Sequence, residues 1–160
     1  MRYREDMPHE RKHRLPRECY LGCRTASFTV HAAEGCANLA QKPVFEACLR
    51  WLQEACAAHN VAITLFTVMP DHMHMVLIGE NESADLWAAM TAFKQKCGFY
   101  GRRELGRFLL QKDFFDHVFH GFEDVHGTIR YIAANPCRKG LASAWDEYPY
   151  TYATPELRMY

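Results

Sequence analysis

Residues 67–78 read TVMPDHMHMVLI, and this stretch limits which fold the rest of the chain can adopt. The dipeptide Pro70-Asp71 lies between two apolar runs rich in β-branched residues and is typical of a tight turn. It therefore predicts a β-hairpin whose strands span residues 61–69 and 72–78. Such a hairpin is the start of an antiparallel sheet that the remaining elements must extend and cover.

The second strand of this hairpin carries two histidines separated by one apolar residue. Side chains alternate across a strand, so His72 and His74 point to one face of the sheet and Met73 to the other. Two imidazoles side by side can hold one divalent cation and leave its other positions open, as a catalytic site requires. A pair of solvent-facing histidines is the alternative that this motif alone leaves open.

Hydrophobic spacing along the rest of the chain predicts the other elements. Apolar residues recur at three- and four-residue intervals where helices are expected, and Pro136 is expected to end the last of them. Besides the hairpin, we predict a strand at the end of 19–32, a strand over 114–120, and helices over 43–59, 84–98 and 123–135. This order fits an α+β, ferredoxin-like βαββαβ sandwich, with an antiparallel sheet, helices on one face and a C-terminal helix that carries Tyr131.

Length and composition limit the class of protein. The 160 residues, 49% of them hydrophobic, fit one globular domain over 18–160 behind a polar N-terminal arm over 1–17. No long apolar run is present, so we expect neither a signal sequence nor a membrane anchor. The seven cysteines form no CxxC motif, which favours free thiols in a reducing cytoplasm over a disulfide framework or a zinc ribbon.

Charge is balanced over the chain but unevenly distributed. The formal net charge is zero, yet segment 94–112 holds six basic residues and one acidic residue. Clustered positive charge can bind phosphates even in a neutral chain, and a solvated helix and loop explain it equally well. The candidates for DNA contact are Lys94, Lys96, Arg102, Arg103 and Arg107, with Tyr100 as a base-stacking residue and Arg130 on the last predicted helix.

A second polar pattern lies on the last predicted helix. Tyr131 and Asn135 are four residues apart, so their side chains lie one above the other on the same helix face. A phenol is a poor nucleophile at neutral pH, but a divalent cation can polarise a phosphodiester for its attack. The product, a phosphotyrosine ester, conserves the energy of the broken strand for rejoining. A helix-surface tyrosine without such a role is the alternative that spacing alone leaves open.

Three segments together resemble one known family. VMPDHMHMVL is similar to the strand of the single-tyrosine HUH transposases in which two histidines flank a hydrophobic residue. RYIAANPCRKGLASAWDEYPYTY resembles their REP-associated branch, with its YIxxNPxxxGL motif and later Tyr-Pro pair. QKDFFDHVFH resembles the stretch that precedes that helix. The matches follow the family's order and spacing over roughly residues 17–152.

This resemblance implies a ferredoxin-like fold and a set of site residues. His72, His74 and Asn135 would hold Mg²⁺ or Mn²⁺, and Tyr131 would become joined to the 5′ phosphate of single-stranded DNA that is cut beside a hairpin, such as a repetitive extragenic palindrome. The enzyme would be a DNA transposase or nickase-ligase, acting as a monomer or homodimer. The rival functions are a catalytically silent DNA-hairpin-binding protein of the same fold and a metallohydrolase that uses the histidine pair to activate water.

Overall fold

The structure is a computed structural model that describes residues 14–36, 38–121 and 123–159. Within these residues the chain forms a five-stranded antiparallel sheet in the order β4-β1-β3-β2-β5, and the predicted α+β architecture is confirmed. The strands are β1 (Thr25–His31), β2 (Val61–Val68), β3 (His72–Gly79), β4 (Phe115–Val118) and β5 (Thr151–Ala153). The helices are α1 (Lys42–Ala58), α2 (Leu86–Leu105), α3 (Val125–Ala133) and α4 (Asn135–Arg138).

The predicted β2–β3 hairpin is present and lies within the sheet, with β3 as its central strand. β1 runs antiparallel along the free edge of β3, so β3 is paired on both sides. The register places Thr29 opposite His74 and His31 opposite His72. Because β3 is a central strand, the backbone that carries the two histidines is fixed by hydrogen bonds from two neighbours.

The two faces of the sheet are covered by different helices. α1 and α2 cover one face and enclose the main core. α3 packs on the opposite face, where Ile129 and Ile132 form a smaller core with Leu65 and Val76. The last helix therefore lies across the sheet from the other two. The largest fully buried side chains of the main core include Phe28, Trp51, Phe66, Met73, Met75 and Phe93.

A β-bulge allows β2 to contribute to both cores. The pairing of β2 with β3 shifts between Ile63 and Leu65, which makes Thr64 the extra residue. Ile63 lies in the main core under α1 and α2, whereas Leu65 lies in the smaller core under α3. Strict alternation would have placed both residues on the same face. The bulge therefore supplies part of the surface against which α3 packs.

Several boundaries differ from those predicted. α2 continues past residue 98 to Leu105 and ends at Gly106, whose left-handed φ of 71° provides the C-cap. The predicted helix over 123–135 is divided into α3 and α4, because Pro136 lies in the first turn of α4, where its missing N–H costs no hydrogen bond. β5 was not predicted, since its pairing with β2 joins residues far apart in the sequence.

The predicted N-terminal arm lies mostly outside the described residues, which begin at Arg14. Arg17 donates to both carboxylate oxygens of Asp85, at 2.9 and 2.7 Å, and so connects this end of the chain to the start of α2. Asp85 also caps α2, by accepting a hydrogen bond from the backbone N–H of Ala88. None of the helices formed by the described residues has the length and hydropathy needed to cross a bilayer.

Candidate active site

His72 and His74 form the centre of the candidate site, on the sheet face opposite α1 and α2. Their Nε2 atoms are 3.0 Å apart. Each ring is oriented through its other nitrogen. The Nδ1 of His72 lies 2.6 Å from Asp71 Oδ1, and the Nδ1 of His74 lies 2.8 Å from Thr29 Oγ1. A carboxylate beside Nδ1 favours the proton on that nitrogen, which leaves the Nε2 lone pair of His72 directed into the site.

This arrangement fits a divalent cation. Two ligands each about 2.1 Å from an octahedral ion, at right angles to each other, are about 3.0 Å apart, and the two Nε2 atoms have this separation. The Thr29 hydroxyl can donate or accept, so His74 keeps its partner when its Nε2 lone pair is used for an ion. The described part of the chain has no group of three or more His, Cys, Asp or Glu side chains that could hold a metal ion. Asn135 was the third metal ligand predicted from the sequence.

Burial holds His74 in its neutral form. Burial, together with repulsion from His72, His31 and Arg138, lowers the pKa of His74 to about 3. His31 lies beside the pair, with its ring centroid 5.8 Å from that of His72, and burial also lowers the pKa of His31. Neutral imidazole is the form that binds metal ions, so His74 is available as a ligand at pH 7 without losing a proton.

Asn135 reaches the histidine pair from α4 of the same chain. Its side chain is buried, and its Nδ2 lies 3.3 Å from His72 Nε2. Its Oδ1 accepts a hydrogen bond from Arg138 Nη2 at 3.2 Å. The amide nitrogen therefore faces His72, and the oxygen, which has a second lone pair, faces Arg138. The fold therefore brings together the three residues predicted to be metal ligands, within one molecule.

Tyr131 lies one helical turn before Asn135. α3 is anchored to the sheet by Ile129 and Ile132, which are buried, whereas the side chain of Tyr131 is 40% exposed. The guanidinium carbon of Arg138 lies 3.7 Å from the centroid of the tyrosine ring. The predicted nucleophile thus has an exposed side chain one helical turn before Asn135.

Three residues around this site were not among the sequence-based candidates: Thr29, His31 and Arg138. The polar stripe of the last helix continues at Arg138, seven residues after the tyrosine, which is the spacing of one helix face. Because we expected Pro136 to end the helix, Arg138 was not considered as part of this helix face. Thr29 and His31 reach the site through the pairing of β1 with β3, for which the local sequence contains no signal.

The lysines of α2 that were predicted to contact DNA do not join this site. α2 packs on the sheet face opposite the histidines. The Nζ of Lys94 donates to the backbone carbonyls of Gln111 and Lys112, and burial lowers the pKa of Lys94 to about 8. Lys96 forms an ion pair with Glu54 of α1 at 2.8 Å. Both ammonium groups therefore already have partners within the protein.

The C-terminal part of α2 also lies away from the histidines. Tyr100 stacks on Trp51 of α1, with ring centroids 5.8 Å apart. The guanidinium of Arg102 lies 5.1 Å from the ring centroid of the exposed Phe108. On the other side of the sheet, three exposed basic side chains lie on α3, on α4 or directly after α4. These are Arg130, Arg138 and Lys139.

Comparisons with known proteins bear on the fold. Neither a scan against protein-family models nor a search of curated proteins found a match. Among solved structures, the chain is similar to a REP-associated tyrosine transposase bound to a REP hairpin, with a TM-score of 0.69 and 18% sequence identity over 91% of this chain and 82% of that one. The chain has the fold of that transposase. A candidate transposase from Deinococcus radiodurans R1 also matches, with a TM-score of 0.48 and 15% identity over 81% of this chain and 97% of that one.

Proposed function

We propose that this protein is a metal-dependent endonuclease and strand transferase of single-stranded DNA, with Tyr131 as its nucleophile. The observation that carries the proposal is the 3.0 Å separation of the two histidine Nε2 atoms, with the Asn135 amide 3.3 Å from His72. Asn135 follows Tyr131 by one helical turn, so the ligand set and the nucleophile are attached to the same short segment. A cation site and a positioned nucleophile are the two parts that phosphodiester transfer requires.

The reaction that these residues support is a reversible transfer of the phosphate. The phenolic oxygen of Tyr131 forms a bond to the scissile phosphorus and loses its proton, while the bond from phosphorus to the 3′ oxygen breaks and that oxygen gains a proton. The 5′ phosphate remains esterified to Tyr131 until a 3′ hydroxyl displaces it, so rejoining needs no ATP. When bound by His72, His74 and Asn135, Mg²⁺ or Mn²⁺ would neutralise the phosphate charge and polarise the phosphoryl group.

DNA hairpins with single-stranded flanks are the substrate class that we propose. The support is the fold shared with a transposase whose structure contains a REP hairpin. Asn135 contacts His72 of the same chain, so one molecule can supply all the metal ligands, which supports action as a monomer and makes a homodimer unnecessary for the site. We place this activity in the cytoplasm, where the seven cysteines, which are free in the structure, would stay reduced.

A gel assay for covalent protein–DNA adducts tests the proposal. Labelled oligonucleotides that contain hairpins from palindromes near the gene are incubated with the protein and Mn²⁺ or Mg²⁺, with EDTA as the metal-free control. Tyr131→Phe removes the nucleophilic oxygen and retains the ring. Tyr100→Phe is the matched control, because Tyr100 lies across the sheet, stacked on Trp51. We expect a metal-dependent adduct with the wild type and with Tyr100→Phe, and none with Tyr131→Phe.

Two other outcomes would replace the proposal. An adduct that persists in Tyr131→Phe would assign the nucleophile to another tyrosine. Hairpin binding without an adduct, across several palindromes and both cations, would favour the silent DNA-binding protein of the same fold. Metal-dependent hydrolysis of the strand without a covalent intermediate would favour the metallohydrolase.

A further inference from the structure

Arg138 contacts Tyr131 of α3 and Asn135 of α4. Its Nη1 donates to the backbone carbonyl of Tyr131 at 2.6 Å, and its guanidinium carbon lies 3.7 Å from the centroid of the Tyr131 ring. Its Nη2 donates to Asn135 Oδ1 at 3.2 Å. One guanidinium group therefore holds the backbone of the nucleophile, its ring, and the amide of a candidate metal ligand.

These contacts cross the junction between two short helices. α3 ends at Ala133 and α4 begins at Asn135, with Pro136 in its first turn. Carbonyl groups in the last turn of a helix lack intrahelical N–H partners, and Arg138 provides one to Tyr131. α3 has nine residues and α4 has four, so few helical hydrogen bonds fix the relation between them. The Arg138 contacts are thus placed where the nucleophile could otherwise move relative to the metal ligand.

The contact with Asn135 also fixes the direction of its amide. A guanidinium group only donates hydrogen bonds, so the Asn135 atom that faces Arg138 must be the oxygen. The amide nitrogen is thereby directed to the histidine pair, with Nδ2 3.3 Å from His72 Nε2. Arg138 thus determines how the Asn135 amide meets the histidines, and loss of such a partner behind a metal site commonly lowers metal affinity or activity.

We propose that Arg138 is a positioning residue of the strand-cleavage reaction, which fixes Tyr131 relative to the histidine pair through Asn135. This inference rests on the proposed function. Displacement of a reacting group by about 1 Å can lower a rate about 10²-fold. Arginine suits the role because its planar group donates in two directions while it stacks on an aromatic ring. A lysine ammonium is a point charge and cannot make this set of contacts.

Arg138→Ala, Arg138→Lys and Arg24→Ala separate positioning from charge. Arg24 is the matched control, because it is an exposed arginine directly before β1, at the end of that strand away from His31. The rate of adduct formation is measured in single turnover at saturating hairpin DNA, and the dissociation constant is measured separately in EDTA. We expect the rate to fall about 10²-fold in Arg138→Ala and at least about 10-fold in Arg138→Lys, with dissociation constants within about threefold of wild type. Arg24→Ala should retain the wild-type rate.

Two results of this assay would overturn the inference. A wild-type rate in Arg138→Lys would show that positive charge alone is required. A loss of affinity as large as the loss of rate in Arg138→Ala would make Arg138 a DNA contact rather than a positioning residue. Thermal unfolding of each variant shows whether it is folded, and Arg138→Lys provides the test if Arg138→Ala does not fold.

A second measurement does not depend on cleavage. NMR spectra of protein with labelled tyrosine rings and asparagine side chains report the Tyr131 and Asn135 signals, assigned through Tyr131→Phe and Asn135→Gln. We expect Arg138→Ala to shift both signals and Arg24→Ala to leave both unchanged. Unchanged signals in Arg138→Ala would overturn the inference. Because this test needs no cleavage, it gives an answer even if the wild type forms no adduct and the proposed function fails.

Discussion

The two faces of strand β3 differ in what covers them. On one face Met73, Met75 and Leu77 are fully buried beneath α1 and α2, helices of 17 and 20 residues. On the other face His72 and His74 lie near α3 and α4, helices of nine and four residues, which leave part of the sheet uncovered. The long helices α1 and α2 thus cover the main core, whereas the short helices α3 and α4 leave the histidine face of the sheet more accessible.

This difference indicates how stability and activity are divided in the molecule. Because side chains alternate along a strand, adjacent residues of β3 belong to different parts of the protein: one to the main core and the next to the candidate site. Substitutions at neighbouring positions should therefore have opposite consequences. The predictions below test this division, beginning with the largest expected effect.

The largest contrast is expected between His74→Ala and Met75→Ala. His74→Ala removes one of two imidazole ligands, so adduct formation should fall at least about 10³-fold, equivalent to about 4 kcal/mol of activation free energy. Met75→Ala leaves a cavity in the core and should lower the free energy of unfolding by about 3 kcal/mol. Adduct assays and urea unfolding of both variants provide the measurement.

Because His74 and Met75 lie on different faces of β3, we also expect His74→Ala to retain stability and Met75→Ala to retain activity. We expect His74→Ala to change the free energy of unfolding by about 1 kcal/mol or less, the size of one hydrogen bond to Thr29. Met75→Ala should form adduct within about twofold of the wild-type rate per folded molecule. If Met75→Ala lost activity as severely as His74→Ala while it was folded, the two faces would not be separable.

The sequence was most informative where structure is local. The turn at Pro70 predicted the β2–β3 hairpin, and alternation placed His72 and His74 on one face. Four-residue spacing predicted that Tyr131 and Asn135 lie close together, and both contact Arg138. Each of these inferences uses residues within a few positions of one another, where the period of a strand or helix determines direction. The resemblance to the HUH transposases extended them to a complete fold, which the comparison of structures bears out.

The sequence was least informative where distant segments meet. The bulge at Thr64 changes which core the next residues of β2 join. No local sequence pattern indicates it, because it depends on packing against both faces of the sheet. Thr29 enters the site through strand pairing. The basic cluster of α2 looked like part of a DNA-binding surface, but helix periodicity does not tell which face of the sheet a helix covers. Pro136 was interpreted as a stop, although proline is equally suited to a helix start.

The second prediction concerns the stability of the metal-free protein in acid. Burial lowers the pKa of His74 from its ordinary value of 6.5 to about 3, so the unfolded chain binds the proton more readily than the folded one. The contribution to stability is therefore complete above pH 6.5 and is lost as the pH falls toward 3. Between pH 7 and pH 5 we expect the free energy of unfolding to fall by about 2 kcal/mol.

Urea unfolding in EDTA across this pH range measures the effect, with His74→Ala as the control. The substitution removes the titrating group, so the fall between pH 7 and pH 5 should be smaller in His74→Ala than in the wild type. Burial also lowers the pKa of His31. The free energy of unfolding of His74→Ala should therefore still fall to some extent between pH 7 and pH 5. Parallel curves for wild type and variant would show that His74 is not protected from protonation by the fold.

The smallest effect is expected from the exposed cations, and it compares the two faces directly. Arg102 and Arg103 lie near the end of α2, whereas Arg130 and Lys139 lie on the side of the sheet that carries the histidines. A strand that reaches Tyr131 must pass along α3 and α4, so Arg130 and Lys139 should contact more phosphates. Arg130→Ala with Lys139→Ala should weaken hairpin binding severalfold and reduce the salt-dependence slope by about 1.4, since each phosphate contact to single-stranded DNA contributes about 0.7.

Arg102→Ala with Arg103→Ala removes the same charge from the opposite face and should change affinity by about twofold or less, with little change in slope. Fluorescence anisotropy of a labelled hairpin at several salt concentrations measures both double variants. Because net charge falls equally in each, any difference between them reflects where the DNA lies rather than general attraction. A larger loss from the α2 pair would place the DNA across the closed face of the sheet. The basic cluster of α2 would then hold the DNA hairpin. Only the single-stranded flank of the hairpin would reach the histidines on the other face.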